Sequence, residues 1–287
     1  MRKILSKINQ YLNKRSMIKN RSRLGWNHAY KYKKYWDRER KKYTGVTYND
    51  KAIIRSVNKM KELAVSGIHT AENHSIAEDI FKKIKQLELS EKKIWDEEYI
   101  GSGNKNYKGN IWNDFPELEI LFKNSISKFL INYLGCNFKI YNALLFTSEG
   151  LTDREGSQIW HSDSGPGSCV NIIFYLTESS NDMGALEVLP WEYSREIFLK
   201  EYNWLNMILK NDPHIKKPKL RVLRNDFYNE LIIKKFPNKI ESPTGKSGIV
   251  VPFCNNLIHR GGWTQSRLKR YAFLFHCYPS DKPSNYE

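Results

Sequence analysis

The residue pattern changes after Gly135, and this change limits the possible folds more than any other feature of the sequence. Five runs rich in β-branched and aromatic residues follow it, each bounded by Gly, Pro, Asn or Ser, which predicts short strands. The runs are FKIYNALLFTS (138–148), SCVNIIFYLTES (168–179), GALEVLP (184–190), GIVVPFCN (248–255) and RYAFLFHCYP (270–279). Helical segments do not alternate with these runs, so the pattern predicts an antiparallel sandwich or barrel rather than a parallel sheet.

The first half of the chain has helical periodicity instead. Apolar residues recur at helical spacing over 50–66, where Gly67 is expected to end a helix. Ser75 and Glu78 form a capping-box pattern, which predicts the start of a second helix.

A third, strongly apolar helix is expected over 118–134, with Pro116 at its start. Helices followed by strands predict an α+β fold with a mainly β core. Repeats and low-complexity linkers are absent from the sequence, which favours a single domain with a helical front.

Most of the positive charge lies at the start of the chain. Residues 1–45 contain 15 lysine and arginine residues against two acidic ones, so they carry +13 of the net charge of +16. Such a segment fits an anionic lipid surface, a nucleic acid or an acidic protein, and it fits a solvated surface equally well. Apolar residues at helical spacing from Ile4 to Leu12 also predict a short basic amphipathic helix there.

The cysteine pattern and the hydropathy indicate a compartment. Four cysteines are widely spaced and form no CxxC pair, which fits reduced cytoplasmic thiols better than a disulfide framework. No apolar run approaches the roughly 18 residues of a membrane-spanning helix, and the N-terminus lacks the apolar stretch of a secretory signal. We therefore expect a cytoplasmic protein without a transmembrane segment, with a peripheral membrane position as the alternative. The sequence leaves the oligomeric state open.

The stretch WHSDSG, residues 160–165, contains a histidine and an aspartate two positions apart. Side chains at i and i+2 of a strand point to the same side, so His161 and Asp163 can offer a nitrogen and an oxygen to one metal ion. Two histidines and one carboxylate form the ligand set of non-haem Fe(II) oxygenases, which leaves three positions for co-substrate and O₂. An HxD pair occurs easily by chance, so a third ligand is required from elsewhere.

His259 is the candidate third ligand. It follows the predicted strand 248–255 and precedes Gly261 and Gly262, where the backbone can approach a ligand closely. Arg270 begins the last predicted strand eleven residues later. Its guanidinium can make a bidentate contact with the distal carboxylate of 2-oxoglutarate, which a lysine cannot reproduce.

These residues together resemble the phytanoyl-CoA dioxygenase family of Fe(II)/2-oxoglutarate oxygenases. The features shared with that family are HSD at 161–163, GALEVLP at 184–190, and His259 eleven residues before Arg270. The resemblance covers roughly residues 138–280. It implies that Fe(II) is held by the two histidines and Asp163, with 2-oxoglutarate and O₂ as co-substrates.

The resemblance also implies a more detailed fold, the double-stranded β-helix or jelly roll that cupins share. We expect this core to carry the N-terminal helices on its outside. The expected organisation is a basic helical segment, 1–45, followed by one oxygenase domain, 46–287. Within that domain the helical part is 46–136 and the β-helix core is 137–280.

Several positions depart from the family pattern or extend it. Gly261 stands where the family often has a serine on the co-substrate carboxylate, so Thr264 and Ser266 are candidates to replace that contact. Asn142, on a strand that would line the barrel, is a further candidate for co-substrate binding. Asp163 occupies the position that is small in related halogenases, which favours hydroxylation over halogenation.

Further candidates lie at the expected mouth of the site. Trp160 and Trp191 are candidate substrate contacts, with simple packing as the alternative. Arg260 is a candidate contact for an anionic substrate, with a solvated position at the rim as its alternative. His276 shares the strand of Arg270 and can face either the core or the barrel; we expect it to be a satisfied core histidine, with the barrel as the alternative.

The sequence therefore predicts an Fe(II)/2-oxoglutarate-dependent hydroxylase that releases succinate and CO₂. Its expected substrate is a small metabolite, a lipid-derived group or a sugar that carries negative charge. Two alternatives stay open. One is a non-catalytic basic binding module on a β-helix scaffold, and the other is an oxygenase of nucleic acid or of a lipid-linked glycan recruited by residues 1–45.

Overall fold

The computed structural model describes residues 38, 40–90, 93–96, 104–150, 156–163, 170–190, 192–194, 196–197, 226–255, 257–264 and 268–284. The helices are α1 (Lys51–Leu63), α2 (Ala71–Leu89), α3 (Ile111–Asp114), α4 (Glu117–Leu121), α5 (Ser127–Leu134) and α6 (Asp226–Lys235), and a π-helical turn (Phe122–Ile126) joins α4 to α5. The strands are β1 (Asn104–Asn106), β2 (Asn137–Glu149), β3 (Val170–Tyr175), β4 (Glu187–Leu189), β5 (Val250–Cys254), β6 (Ile258–Arg260) and β7 (Lys269–Ser280).

Several of the sequence predictions fall outside these residues. The predicted amphipathic helix near the N-terminus and almost all of the basic segment 1–45 are not described, and neither is Trp191. Within the described residues, no helix combines the length and the apolar character needed to cross a membrane.

Helix α1 confirms the predicted helix over 50–66 but ends earlier than expected. Asp50 caps its N-terminus, because the carboxylate accepts hydrogen bonds from the backbone N–H groups of Ala52 and Ile53. The helix ends at Leu63, and Ala64 takes a left-handed conformation with φ of 61°. The chain therefore leaves the helix before it reaches Gly67.

Helix α2 exists as predicted, but the predicted cap is wrong. Thr70 is the N-cap, in an extended conformation, and its side chain accepts a hydrogen bond from the backbone N–H of Asn73. Ser75 lies inside the helix, five residues after this cap. Thr70 and Ser75 are both suitable N-cap residues. Thr70 is the one that caps the helix, because its side chain bonds a free backbone N–H group of the first helical turn.

The strands form two antiparallel groups. The larger sheet has the order β1-β2-β7-β3-β5, and the smaller one pairs β4 with β6. Isolated bridges extend the smaller sheet on both sides, since Val188 also pairs with Glu241 and His259 pairs with His161. This arrangement confirms the predicted α+β fold with a mainly antiparallel β core.

The two faces of β7 have different roles. Phe273 and Phe275 point outward and meet helix-side aromatic rings, with centroid distances of 5.6 Å to Phe115 and 4.9 Å to Phe122. Because successive side chains of a strand alternate between faces, the residues at even positions from 270 to 276 face the inside of the β core. The helices therefore cover one face of the sheet and leave the other for a site.

The carboxylate of Glu88, at the end of α2, links the helical layer to β7 through hydrogen bonds. Its oxygens accept hydrogen bonds from Lys85 at 2.8 Å, Trp95 at 2.9 Å, Lys269 at 3.2 Å and Tyr271 at 2.9 Å. Burial alone would raise the pKa of Glu88, but the hydrogen bonds from these four side chains outweigh it and lower the pKa to about 2. Lys269 and Tyr271 flank the inward-facing position 270, so Glu88 fixes the strand at that point.

We predict that Glu88→Gln lowers the free energy of unfolding by about 1–2 kcal/mol at pH 7, allowing for partial solvent screening. A carboxylate whose pKa is lower in the folded state stabilises the protein above its unfolded pKa. That contribution is lost as the pH falls from about 4.3 towards 2. The difference between the variant and the wild type should therefore shrink over this range, as measured by denaturant unfolding. Glu62→Gln, at an exposed position of α1, is the control and should show no such pH-dependent difference.

Candidate metal centre

Three side chains converge inside the β core. Single ligand atoms of His161, Asp163 and His259 all lie within 4.8 Å of one another. Nε2 of His161 is 3.7 Å from Oδ1 of Asp163, and Nε2 of His259 is 3.9 Å from Oδ2. Donors on adjacent octahedral positions, each about 2.1 Å from one ion, lie about 3 Å apart. The three ligand atoms would therefore have to approach one another only slightly to bind one metal ion.

Both histidines are held in the tautomer that a metal requires. Nδ1 of His161 donates to the carbonyl oxygen of Ile159 at 2.7 Å, and Nδ1 of His259 donates to that of Leu257 at 2.8 Å. A carbonyl oxygen can only accept, so the proton lies on Nδ1 in each ring. Each Nε2 is then the lone-pair nitrogen and faces the centre.

The backbone brings the two histidines side by side. His161 N–H donates to the carbonyl oxygen of His259 at 2.9 Å, and His259 N–H donates to that of His161 at 2.8 Å. Their ring centroids are 4.4 Å apart. Two residues further along, Asp163 N–H donates to the carbonyl oxygen of Asn255 at 2.9 Å, which extends the ladder and directs the carboxylate to the same face.

A buried amide orients the carboxylate. Asn171, on the inner face of β3, donates from Nδ2 to Oδ2 of Asp163 at 3.2 Å, and its side chain is almost fully buried. Outer hydrogen-bond partners of this kind fix a ligand carboxylate for metal binding. Asn171 is not among the predicted site residues, although it is the single polar residue inside the apolar run VNIIFY, which is a signal for such a role.

Arg270 lies on the same inner face with a fully buried guanidinium. Nε donates to the hydroxyl of Ser148 at 3.1 Å, and the group also bonds the hydroxyl of Tyr175, whose oxygen accepts from Leu186 N–H at 3.0 Å. Burial lowers the pKa of Arg270, and the Tyr175 hydroxyl opposes that change. A guanidinium stays charged in proteins, and among the described residues no carboxylate pairs with that of Arg270. A buried cation without a counter-charge is costly, so the position suits an anionic ligand.

Gly261 borders the same guanidinium. A Cβ built at this position would lie 3.7 Å from Nη2 of Arg270 and 3.6 Å from the carbonyl oxygen of Ser157. The hydroxyl of Thr264 donates to the carbonyl oxygen of Met183 at 3.4 Å. Ser266 is outside the described residues.

Arg260 and Trp160 form a buried structural pair. Arg260 donates from Nε to Oε2 of Glu187 at 2.6 Å, and its guanidinium carbon lies 4.5 Å from the ring centre of Trp160. Arg260 is 5% exposed and Trp160 is fully buried, so neither side chain reaches the solvent at a rim. Both flank metal-ligand candidates in sequence, and their contact braces His161 against His259.

Asn142 and His276 lie at the other end of the inner face from Arg270. They are register partners on β2 and β7, and Asn171 pairs with His276 on the opposite side. Along the strand His276 is six residues from Arg270, or about 20 Å. His276 is thus part of the inner face near the metal centre, and the expectation of an ordinary core histidine is wrong.

Solved structures share this fold. The carbocyclase SnoK from nogalamycin biosynthesis, a non-haem α-ketoglutarate-dependent enzyme, has a TM-score of 0.52 at 14% identity, covering 82% of this chain and 87% of that chain. EctD from S. alaskensis, with 2-oxoglutarate and 5-hydroxyectoine, has a TM-score of 0.54 at 18% identity, covering 83% and 84%. The epimerase SnoN, in complex with Fe³⁺, α-ketoglutarate and nogalamycin RO, has a TM-score of 0.52 at 11% identity, covering 79% and 84%.

These likenesses confirm the predicted jelly-roll fold. No family model matches the sequence, and a comparison with curated proteins finds no match.

We predict that Asn171→Ala weakens divalent metal binding by about 10- to 100-fold, since Asp163 loses the amide that orients it. Isothermal titration with Fe(II) or Co(II) under anaerobic conditions measures the change. Asn58→Ala, an exposed amide on α1, is the matched control and should leave the affinity unchanged. Equal affinities in Asn171→Ala and the wild type would show that the amide has no such role.

Proposed function

We propose that this protein is an Fe(II)/2-oxoglutarate-dependent oxygenase of the phytanoyl-CoA dioxygenase type that hydroxylates a small organic substrate. The observation that carries the proposal is the presence of two features inside one β core. One is a His-Asp-His cluster with both Nε2 atoms turned to the centre, and the other is the buried cation Arg270. A non-catalytic scaffold would require neither the cluster nor the buried cation.

The residues present fit the iron and the co-substrate. His161, Asp163 and His259 would hold Fe(II), which such a ligand set leaves with open positions for other ligands. Arg270 would bind the distal carboxylate of 2-oxoglutarate, with Ser148 and Tyr175 fixing the direction of the guanidinium. When bound, iron and 2-oxoglutarate supply O₂ activation coupled to decarboxylation, giving succinate, CO₂ and one oxygen atom for the substrate.

In this chemistry the protein itself would position the reacting groups and exclude water. Phe146 and Tyr175 line the guanidinium, with ring centres 5.7 and 6.0 Å from its central carbon. These apolar walls strengthen a charge-assisted hydrogen bond from Arg270 to a carboxylate because they lower the local dielectric. Asn171 holds Asp163 by a hydrogen bond, so the carboxylate keeps its direction while other ligands exchange.

Hydroxylation is proposed over halogenation because Asp163 supplies a carboxylate to the cluster. A chloride would need that position to be empty. SnoN is described as an epimerase and SnoK as a carbocyclase, so the fold also supports other oxidations. The proposed substrate is a small molecule, as for EctD with 5-hydroxyectoine.

The decisive experiment is an anaerobic titration of the protein with Fe(II) and 2-oxoglutarate. Chelation of 2-oxoglutarate by protein-bound Fe(II) gives a visible charge-transfer absorption, which we expect in the wild type. Asp163→Ala should abolish or strongly reduce it, since the cluster loses its only carboxylate. On admission of O₂, the wild type should form succinate in an iron-dependent way.

Asp79→Ala, at an exposed position of α2, is the control for that titration and should retain the absorption. The proposal fails if the wild type gives no absorption, or if Asp163→Ala binds iron and 2-oxoglutarate as well as the wild type does.

A second prediction concerns the co-substrate alone. Arg270→Lys should raise the Kd of 2-oxoglutarate at least about tenfold while Fe(II) affinity stays the same, because an ammonium cannot make the bidentate contact. The charge-transfer absorption, titrated with 2-oxoglutarate at saturating Fe(II), gives the Kd. Arg55→Lys, an exposed exchange on α1, controls for the substitution itself. An unchanged Kd in Arg270→Lys would remove Arg270 from the co-substrate site.

A further inference from the structure

The inner face of the larger sheet changes from closed to open along β2 and β7. At one end Ser148 and Arg270 are 0% and 4% exposed. At the other end Asn142 is exposed, His276 is half-buried, and the neighbouring Tyr141 is 74% exposed. A ligand on Arg270 therefore lies deep in the core, while a molecule arriving from solvent meets the residues around Asn142 and His276.

His276 presents an unused hydrogen-bonding group beside the metal centre. Its register partner on β3 is Asn171, which donates to Asp163, so His276 lies near the cluster. Nδ1 is buried, and among the described residues it has no hydrogen-bond partner. A buried polar atom without a hydrogen bond destabilises the protein, so a ligand that bonds the imidazole would remove this cost.

A β-bulge adds an aromatic surface at the same end. The register between β2 and β7 shifts between Ile140 and Asn142, so Tyr141 is the extra residue. Its ring meets that of Tyr278 edge to face, with a centroid distance of 5.5 Å and an interplanar angle of 74°. Tyr278 follows His276 by two positions and therefore points to the same side of β7.

We infer that Tyr141, Asn142, His276 and Tyr278 form a substrate-recognition edge for a hydroxylated ring such as a sugar. This inference rests on the proposed oxygenase function and names its substrate class. A sugar ring has apolar C–H faces and a rim of hydroxyl groups that both donate and accept hydrogen bonds. Tyrosine rings offer flat apolar faces to the former. The Asn142 amide and the His276 imidazole each offer a donor and an acceptor to the latter.

The alternative substrate classes fit this edge less well. An acyl chain would cover the polar atoms of Asn142 and His276 without bonding them, which costs free energy at each buried atom. Lys139, the register partner of Tyr278, is exposed beside the edge, so a carboxylate on the ring is also accommodated. The edge therefore favours neutral and acidic sugars over fatty acyl groups.

The test uses the protein loaded with Fe(II) and 2-oxoglutarate under anaerobic conditions. The probes are a panel of methyl hexopyranosides and methyl hexuronides, with octanoate as the acyl comparison. Binding beside iron displaces water and shifts the charge-transfer absorption, so each probe gives a saturation curve. We expect at least one glycoside to saturate, and octanoate to give no saturable shift.

Variants connect that binding to the edge. Tyr141→Ala and His276→Ala should each raise the Kd of the binding glycoside at least about tenfold, and Tyr141→Ala, at a 74% exposed position, should leave the Kd of 2-oxoglutarate unchanged. Tyr141→Phe keeps the ring and should retain most of the affinity. Asn58→Ala, an exposed amide on α1, is the control and should leave the Kd of the glycoside unchanged.

A second readout separates failure of this inference from failure of the proposed function. Saturation-transfer NMR with the same glycosides on iron-free protein reports contact with the edge even where no charge-transfer absorption forms. Binding of octanoate without any glycoside, absence of glycoside binding in both readouts, or equal glycoside affinities in the wild type, Tyr141→Ala and His276→Ala would each overturn the assignment.

Discussion

The candidate site depends on one short antiparallel contact, the pair of reciprocal backbone hydrogen bonds between His161 and His259. These two bonds set the register between segments almost one hundred residues apart in the chain. A slip of one residue would turn either imidazole to the opposite face, because side chains alternate along a strand. The same register directs Asp163, two positions further on, towards the two histidines. The convergence of the three candidate metal ligands thus results from strand pairing rather than from side-chain adjustment.

The arginine is positioned from outside the core. Lys269 and Tyr271 both donate to Glu88 on the helical side, so the strand is held at the residues before and after Arg270. Alternation then directs the guanidinium inward, where Ser148 meets it. The helices therefore contribute to the site without lining it. This explains how a charged side chain with no carboxylate partner in the described residues is kept in the interior, since its neighbours are anchored independently.

Sequence reasoning reached those parts of the site that follow from local periodicity. The i, i+2 spacing predicted that His161 and Asp163 share a side, and the strand pattern predicted that Arg270 lies on a strand near His259. It did not reach contacts set by pairing across the sheet, such as that of Asn171 with Asp163 or that of Tyr141 with Tyr278. Those depend on the register and on the bulge at Tyr141, which no local pattern fixes. In the same way, Thr70 rather than Ser75 caps α2, because tertiary placement decides between two adequate local caps.

Side chains on the inner face change from buried at Arg270 to exposed at Asn142. Under the proposed function, this change in burial orders the binding of the co-substrate and the substrate. A carboxylate bound to Arg270 occupies the closed end, and the Asp163 side chain, 33% exposed, lies towards the open one. Under the proposed function, 2-oxoglutarate that enters from the open end passes Asn142 and His276 before it reaches the guanidinium, so a substrate already bound there would obstruct it. Binding of co-substrate before substrate is then a result of depth alone. The charged contact is deep, where low dielectric strengthens it, and the neutral hydrogen-bonding groups are at the opening, where an exchangeable substrate can still reach water.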